Sequence, residues 1–231
     1  MLGIIGAMDE EVLKLKECME DISIIKKAGM EFFTGKLCKK EVVVVRSGIG
    51  KVNAAVCAQI LVDDYKVHAL INTGIAGSLK NEINIGDIVL SSDVLHHDMD
   101  AGAFGYEVGQ IPRMDVLSFP ADQKLVHLAK ESCEKVNSEI CVFVGRVVSG
   151  DQFISSKEKK DWIYENFQGY CTEMEGAAIA QTAFLNDVPF VIIRAISDKA
   201  DDSAQMDYPA FEALAIERSI KLMIEMVGQY E

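Results

Sequence analysis

The chain has 231 residues, of which 49% are hydrophobic and 26% charged, and its formal net charge is −13. This composition is typical of a globular domain with a sizeable core, and the lack of a Pro- or Ser-rich linker predicts a single domain over residues 1–231. The negative charge disfavours nucleic acid and anionic membranes as partners. The first residues, MLGIIGAMDEE, predict no signal peptide, and no apolar stretch reaches the roughly 18 residues that a membrane span needs.

The first part of the chain predicts alternating strands and helices. Leu2–Ala7 is a short apolar strand, and the acidic triplet Asp9–Glu11 opens an amphipathic helix. Acids in a first helical turn are usually partners of the helix dipole, although three acids after a strand could also supply a base. Residues 32–38 and 41–47 predict a hairpin. The following segment, Gly48–Lys51, lacks the first glycine and the Ser/Thr of a phosphate loop, so we interpret it as a tight turn before a helix.

Several later strands are predicted to end in glycine or another small residue. Residues 67–72 run into Thr73–Gly77, residues 85–92 form a further strand, and residues 140–149 end at Ser149-Gly150. This repetition predicts one sheet edge where backbone can approach a flat ligand. Phe153, just beyond the last of these turns, could stack on a ring.

Two other parts of the chain are less regular. Residues 96–120 predict a loop with apolar and aromatic residues, which either packs on its own domain or serves as a lid or reaches a ligand or a partner subunit. Residues 121–136 predict a helix. Residues 199–207 are acidic and predict a loop, and residues 208–227 predict the closing amphipathic helix.

The spacing of cysteine and histidine residues indicates the redox compartment of the protein and whether it binds a metal. The six cysteines are scattered without a CxxC pair, which is typical of reduced thiols in a cytoplasmic protein. His96 and His97 are adjacent and therefore point in different directions on regular structure. This arrangement disfavours a metal site, so we expect none.

The candidate chemistry lies in residues 171–200. An Ala-rich segment there begins with Glu173 and Glu175. A continuous apolar run, residues 189–196, predicts a strand buried on both faces and leads directly into Asp198. Ligands of open α/β sheets bind beyond the carboxyl ends of such strands. Each acid alone has a simpler interpretation as a helix cap or a dipole partner.

Six motifs occur in an order similar to that of the 5′-methylthioadenosine/S-adenosylhomocysteine nucleosidases, which belong to the nucleoside phosphorylase superfamily. They are VRSGIGKVNAA, INTGIAG, AFGYEVGQIP, VSGDQFI, EMEGAAIA and RAISDKAD. The resemblance implies a single-domain α/β fold with a mixed, largely parallel sheet flanked by helices, usually as a homodimer. It also implies hydrolysis, without a cofactor, of the N-glycosidic bond of both thionucleosides and of 5′-deoxyadenosine, with a role in methionine salvage and in removal of S-adenosylmethionine by-products.

The resemblance implies roles for three acids. Asp198 protonates adenine N7, Glu11 activates water, and Glu175 binds the ribose hydroxyls. Adenine leaves poorly unless it is protonated, so the reaction is related to glycoside hydrolysis, in which one carboxyl group acts as acid and another as base. Raising the pKa of an Asp from about 3.9 toward 7 takes roughly 4 kcal/mol of environmental bias. We expect burial of Asp198 to supply much of it, while Glu11 stays ionised.

Other matched positions are implied to surround the substrate. Phe153 stacks on adenine, the Ile154 backbone reads the base edge, and Arg194 positions the acids. The remaining positions are Met8, Ile49, Ala76, Gly77, Glu173, Met174, Ser197 and Tyr208 in the same subunit, with Phe104 and Pro112 reaching the partner subunit's pocket. Departures from the family pattern are Ile75, where relatives carry a smaller or polar residue, Tyr208, where Phe is common, and the small Ala101-Gly102 pair beside the 5′ pocket.

Three alternatives remain open on the sequence. An aminofutalosine nucleosidase would perform the same chemistry on a different 5′ group. A purine nucleoside phosphorylase would need an arginine set for phosphate, which the chain does not display. A non-catalytic nucleoside-binding or storage protein on this fold would have no need for all three acids.

Overall fold

A computed structural model describes residues 1–230, which form ten strands and six helices. The strands are β1 (Leu2–Gly6), β2 (Glu20–Lys27), β3 (Met30–Leu37), β4 (Lys40–Arg46), β5 (Ala69–Ser78), β6 (Ile88–His96), β7 (Phe119–Pro120), β8 (Val142–Ser149), β9 (Cys171–Glu173) and β10 (Phe190–Asp198). The helices are α1 (Asp9–Glu17), α2 (Lys51–Tyr65), α3 (Gln123–Val136), α4 (Lys157–Phe167), α5 (Gly176–Leu185) and α6 (Ala204–Gln229).

All ten strands belong to one mixed sheet, which closes on itself in one half. Strand β10 pairs in parallel with β5 and antiparallel with β6, and the path β6–β8–β9–β5 completes a ring of five strands. Strands β1, β4, β3 and β2 extend from β5 as an open wing. The ring brings the ends of β5, β8, β9 and β10 close together. The predicted α/β fold with a mixed sheet flanked by helices is therefore confirmed.

The central strands are the apolar runs of the sequence. All nine residues of β10 and all five of β1 are buried, as expected for strands with helices on both faces. Helix α6 packs on β10 and β5, and α5 packs on α2. Within residues 1–230, no helix combines the length and the apolar character that crossing a bilayer would require.

The structure corrects several predicted boundaries. Strand β2 was not predicted from the sequence, because all eight of its residues are exposed and its place in the sheet depends on pairing with β3. Strand β9 has three residues, too few for a periodic pattern. Residues 73–78 continue β5 instead of forming a turn, since pairing with β10 holds this small-residue segment extended. Helix α6 begins at Ala204 within the segment predicted as a loop.

Candidate active site

A cavity of about 260 Å³ opens at the carboxyl edge of the sheet. Its walls come from the ends of β1, β5, β9 and β10, the turn before α2, the loop after β8 and the first turns of α6. It is lined by Ala7, Met8, Glu11, Ile49, Ile75, Ala76, Gly77, Gln152, Phe153, Ile154, Thr172, Glu173, Met174, Glu175, Ser197, Asp198 and Tyr208. The sequence-predicted residues of the same subunit therefore meet in one place, except Arg194.

Asp198 is the last residue of β10 and is buried. Its Oδ1 accepts a hydrogen bond from the Ala200 amide at 2.8 Å, and its Oδ2 contacts the Ser197 hydroxyl at 2.8 Å. Burial raises the pKa of Asp198, and the negative charges of Asp207 and Asp201 raise it further, although the two hydrogen bonds oppose this shift. The carboxyl group is thus biased toward the protonated form, as an acid must be.

Glu11 lies in the first turn of α1, and its carboxylate points away from solvent. Oε2 accepts the amides of Ala7 at 2.6 Å and Met8 at 3.0 Å, and Oε1 accepts the amide of Ile75 at 3.2 Å. Burial raises the pKa of Glu11, while the Arg194 charge and the three amides oppose the increase. The environment thus shifts Glu11 toward the protonated form, against the expectation that it stays ionised, and once ionised a carboxylate of raised proton affinity is suited to accept a proton from water.

Glu175 precedes α5 and is also buried. Its Oε1 accepts the Gly50 amide at 2.7 Å, across 125 positions of sequence. Burial and the neighbouring charge of Glu173 raise the pKa of Glu175 to about 8. Two oxygens on one rigid carboxyl group can accept hydrogen bonds from two neighbouring hydroxyl groups.

Glu173 and Arg194 form a buried ion pair behind the cavity wall. Glu173 also accepts the Ser149 hydroxyl and the amides of Glu175 at 3.1 Å and Gly176 at 2.8 Å. Burial alone would raise the pKa of Glu173, but Arg194 and these donors hold it below its usual value. Glu173 lines the cavity, yet its carboxylate is already occupied by protein donors.

Arg194 does not line the cavity. Its guanidinium contacts the Asn72 side chain, the Asn72 carbonyl at 3.4 Å and the Ile193 carbonyl at 3.0 Å, besides Glu173. It acts on Glu11 through charge, because it opposes the rise in the pKa of that residue. Arg194 is therefore placed behind the site, and the structure gives it no contact with Asp198.

Two aromatic rings flank the cavity mouth. Phe153 and Tyr208 meet edge to face with ring centroids 5.8 Å apart, and Phe153 is 50% exposed. The Tyr208 hydroxyl donates to Glu212 at 3.1 Å and approaches the Met8 sulfur at 3.4 Å. A half-exposed ring at a cavity mouth is free to stack on a planar ligand.

Phe104 and Pro112 are exposed and lie outside the cavity. Phe104 sits in a short 3₁₀ turn with 84% of its surface accessible. Neither residue contributes to the site within one subunit.

Some lining residues were not predicted from the sequence. Thr172 lines the cavity, and its buried hydroxyl has no hydrogen-bond partner within residues 1–230. Ala7 and Gln152 also line the cavity, and Ser149 reaches the site indirectly through Glu173 and the Ala177 amide. Ser149 ends β8, which was the available signal, whereas Thr172 is the middle residue of β9, a strand too short to be predicted from the sequence. Within residues 1–230, no group of three or more His, Cys, Asp or Glu side chains is arranged to hold a metal ion.

Comparisons with known proteins agree on one family. A model of the phosphorylase superfamily matches residues 1–228. A 5′-methylthioadenosine/S-adenosylhomocysteine nucleosidase of Staphylococcus aureus is 44% identical over 230 residues, covering 99% of this chain and all of the relative.

Two solved structures are similar over nearly their whole lengths. The nucleosidase of the same name from Neisseria meningitidis, in complex with methylthio-immucillin-A, has a TM-score of 0.95 and 38% identity, with 99% of each chain covered. The futalosine hydrolase of Helicobacter pylori has a TM-score of 0.92 and 33% identity, with 99% of this chain and 97% of that chain covered. The chain belongs to the phosphorylase superfamily and, within it, to the family of the 5′-methylthioadenosine/S-adenosylhomocysteine nucleosidases.

Proposed function

We propose that the protein hydrolyses the N-glycosidic bond of 5′-methylthioadenosine and S-adenosylhomocysteine, releasing adenine and the 5-thioribose. The observation that carries the proposal is the arrangement of Asp198, Glu11 and Glu175 around one cavity with different environments. Hydrolysis needs a proton donor for the base, an acceptor for water and a partner for the sugar. The names of relatives at 44% and 38% identity support the choice of substrates.

Asp198 is the proposed acid that protonates adenine N7. Protonation removes the negative charge that would otherwise build up on the leaving base, so the bond to the sugar breaks more easily. The raised pKa of Asp198 supports this role, because a carboxyl group must hold its proton near neutral pH to donate it. In this proposal Phe153 stacks on the base and the Ile154 backbone reads its edge, which is supported by the position of both residues in the cavity wall.

Glu11 is the proposed base that removes a proton from the attacking water. Its three amide donors fix the carboxylate direction without using every lone pair. Glu175 is the proposed partner of the ribose hydroxyls, and hydroxyl donors together with a cationic sugar favour its ionised form. Arg194 holds Glu173 and adds positive charge behind both carboxylates.

We further propose that the protein acts as a cytoplasmic homodimer in methionine salvage and also accepts 5′-deoxyadenosine. Dimerisation is supported by an exposed apolar surface on two packed helices, Val52 and Val56 on α2 and Phe184 and Leu185 on α5. Exposed apolar surface of this kind is typical of protein interfaces. Phe104, which is exposed in one subunit, would cover the 5′ end of the partner's cavity.

A futalosine-type substrate is the second candidate, favoured by the similarity to the Helicobacter pylori futalosine hydrolase. It would place the same acids at the same bond and differ only in the 5′ group. A phosphorylase is less well supported, because no arginine is among the residues that line the cavity within residues 1–230. The guanidinium of Arg194, behind the cavity, already donates to Glu173 and to carbonyl groups of β5 and β10. A non-catalytic storage protein would have no need for the shifted pKa values of Asp198, Glu11 and Glu175.

The test is adenine release from 5′-methylthioadenosine in phosphate-free buffer and again with phosphate. We expect adenine and free methylthioribose in both buffers. Release that requires phosphate and yields the sugar 1-phosphate would overturn the hydrolase proposal. If neither buffer gives adenine, turnover of aminofutalosine would establish the second candidate, and binding without turnover would indicate a storage protein.

A further inference from the structure

Three loops at the edge of the cavity are joined by a closed ring of polar contacts. The Lys51 ammonium donates to Asp98 Oδ1 at 2.6 Å, and the Asp151 amide donates to Asp98 Oδ2 at 3.0 Å. The Lys51 amide in turn donates to Asp151 Oδ1 at 2.9 Å. The three residues belong to the first turn of α2, the segment after β6 and the segment after β8. We call this set the Lys51–Asp98–Asp151 ring.

The Lys51–Asp98 pair of the ring is more protected from water than an ordinary surface ion pair, whereas Asp151 is exposed. The side chains of Lys51 and Asp98 are 21% and 18% exposed, whereas those of Lys27 and Asp64, also 2.6 Å apart, are 52% and 41% exposed. Partial burial alone would raise the pKa of Asp98, but Lys51 and the Asp151 amide outweigh it and keep the pKa below its usual value. The ring therefore contains an ionised, partly desolvated pair, which is stronger than an exposed pair.

A second contact fixes the same two loops to each other. The amide of His97 donates to the Ser149 carbonyl at 2.9 Å, and the buried ring of His97 packs so closely on Gly150 that a side chain at residue 150 would collide with it. The segments after β6 and β8 are thus packed together immediately beside the polar ring.

The ring adjoins two parts of the cavity that the proposed reaction uses. Gly50, next to Lys51, donates its amide to Glu175, and it does so with φ of 96°, a conformation that side chains rarely adopt. Phe153 and Ile154 follow Asp151 by two and three residues and line the cavity. None of the three ring residues lines the cavity itself.

We propose that Lys51, Asp98 and Asp151 are positioning residues, whose ring holds the Gly50 amide on Glu175 and the Phe153 segment against the base. The proposal rests on the proposed function for the identity of the groups that are positioned. The ring touches no substrate. It acts because a small displacement of the ribose partner and of the base-stacking segment moves the substrate away from Asp198 and Glu11.

The experiment compares three ring variants with a matched ion pair elsewhere. The ring variants are Asp98→Asn, Lys51→Met and the double variant, and the controls are Lys27→Met on β2 and Asp64→Asn at the C-terminal end of α2. Turnover of 5′-methylthioadenosine gives kcat and KM, calorimetric titration gives the Kd of adenine, and hydrogen–deuterium exchange reports on residues 150–156.

Opening the ring should lower kcat/KM by roughly 10- to 100-fold, weaken adenine binding and speed exchange of residues 150–156. The double variant should lose no more than the worse single variant, because either substitution opens the same ring. The control variants should stay within about 2-fold of the wild type in kcat/KM.

The proposal fails if the ring variants remain within about 2-fold of the wild type in kcat/KM, or if the two single losses multiply in the double variant. It also fails if turnover falls only in proportion to the folded fraction while the Kd of adenine and amide exchange are unchanged. Asp151→Asn, which keeps its own amide, replaces any variant that does not fold. If the wild type releases no adenine, the proposed function fails, whereas amide exchange still decides whether the ring holds residues 150–156.

Discussion

The two ends of the cavity use the same kind of side chain in contrasting environments. At one end, Asp198 has neutral hydrogen-bond donors and more distant acids around it. At the other end, Glu11, Glu173 and Glu175 gather near a single cation, Arg194. The comparison shows that protonation here is set by partners and burial rather than by residue type.

The cluster of three glutamates also shows how one cation is shared. Arg194 contacts Glu173 directly, and this pair is fully buried. The Glu11 carboxylate accepts hydrogen bonds from backbone amides. The Glu175 carboxylate accepts one amide hydrogen bond and is repelled by the charge of Glu173. The result is one carboxylate with a lowered pKa beside two with raised values. Single substitutions can alter the Asp198 end or the glutamate end of the cavity separately.

Asp198→Asn should produce the largest loss. The substitution keeps the volume but removes the proton that the base needs, so we expect kcat to fall by roughly 10²- to 10⁴-fold. Circular dichroism should match the wild type, and adenine release from 5′-methylthioadenosine measures the loss. A near wild-type rate would remove Asp198 from the acid role.

Glu11→Gln should also abolish most turnover, because an amide cannot accept a proton from water, with an expected loss of roughly 10²- to 10⁴-fold. Adenine should still bind, since the substitution leaves Phe153 and Asp198 in place. Parallel measurement of kcat and of the adenine Kd separates the two effects. Undiminished activity would assign water activation to another group.

Arg194→Met should chiefly destabilise the protein. It leaves the buried Glu173 carboxylate without its cation, which costs about 3–5 kcal/mol in the free energy of unfolding. Denaturant unfolding measures this change. The double variant Arg194→Met/Glu173→Gln should recover part of the stability, because no charge is then left unpaired; equal losses in both variants would show that the ion pair is not the cause.

Glu175→Gln should stabilise the protein at alkaline pH. The folded pKa of Glu175 is about 8, above the 4.5 of an ordinary Glu, so the folded state binds more protons between these values and wild-type stability falls as pH rises from 4.5 to 8. Glutamine removes that dependence. We expect a gain of roughly 4–5 kcal/mol at pH 8.5 and little change at pH 4.5. An equal effect at both pH values would contradict the raised pKa, and the exposed Glu107→Gln serves as the control.

Tyr208→Phe should have the smallest effect. The ring that meets Phe153 is kept, and only a hydroxyl bonded to Glu212 at the cavity mouth is lost. We expect kcat/KM for 5′-methylthioadenosine and for S-adenosylhomocysteine to change by less than about 5-fold, in line with about 1 kcal/mol for one hydrogen bond. A much larger change for one substrate alone would make the hydroxyl a specificity determinant.

Much of the cavity lining could be predicted from the chain because many of its residues lie at or just beyond strand ends. The buried run of residues 189–196 leads into Asp198, and Glu11 lies in the first turn of α1, shortly after β1. Local patterns reveal such positions, since a buried strand is apolar throughout and its end is marked by small or polar residues. The family motifs then linked these residues to one chemistry.

Elements with weak local patterns were missed or misplaced. Strand β2 is exposed on every residue, and β9 is only three residues long. Residues 73–78 contain two glycines, which usually indicate a turn, yet pairing with β10 keeps them extended. In each case tertiary pairing overrides local preference.

The sequence by itself determined the fold class, the order of the buried strands and the acids at their ends. Only the tertiary structure decided that Glu173 takes Arg194, that Glu175 faces the Gly50 amide, and that Lys51 joins Asp98 and Asp151. These choices depend on closing the sheet into a ring, which brings together residues up to 125 positions apart. Charge and hydrogen-bond partners act over a few ångströms in space, so no local pattern in the chain can specify them.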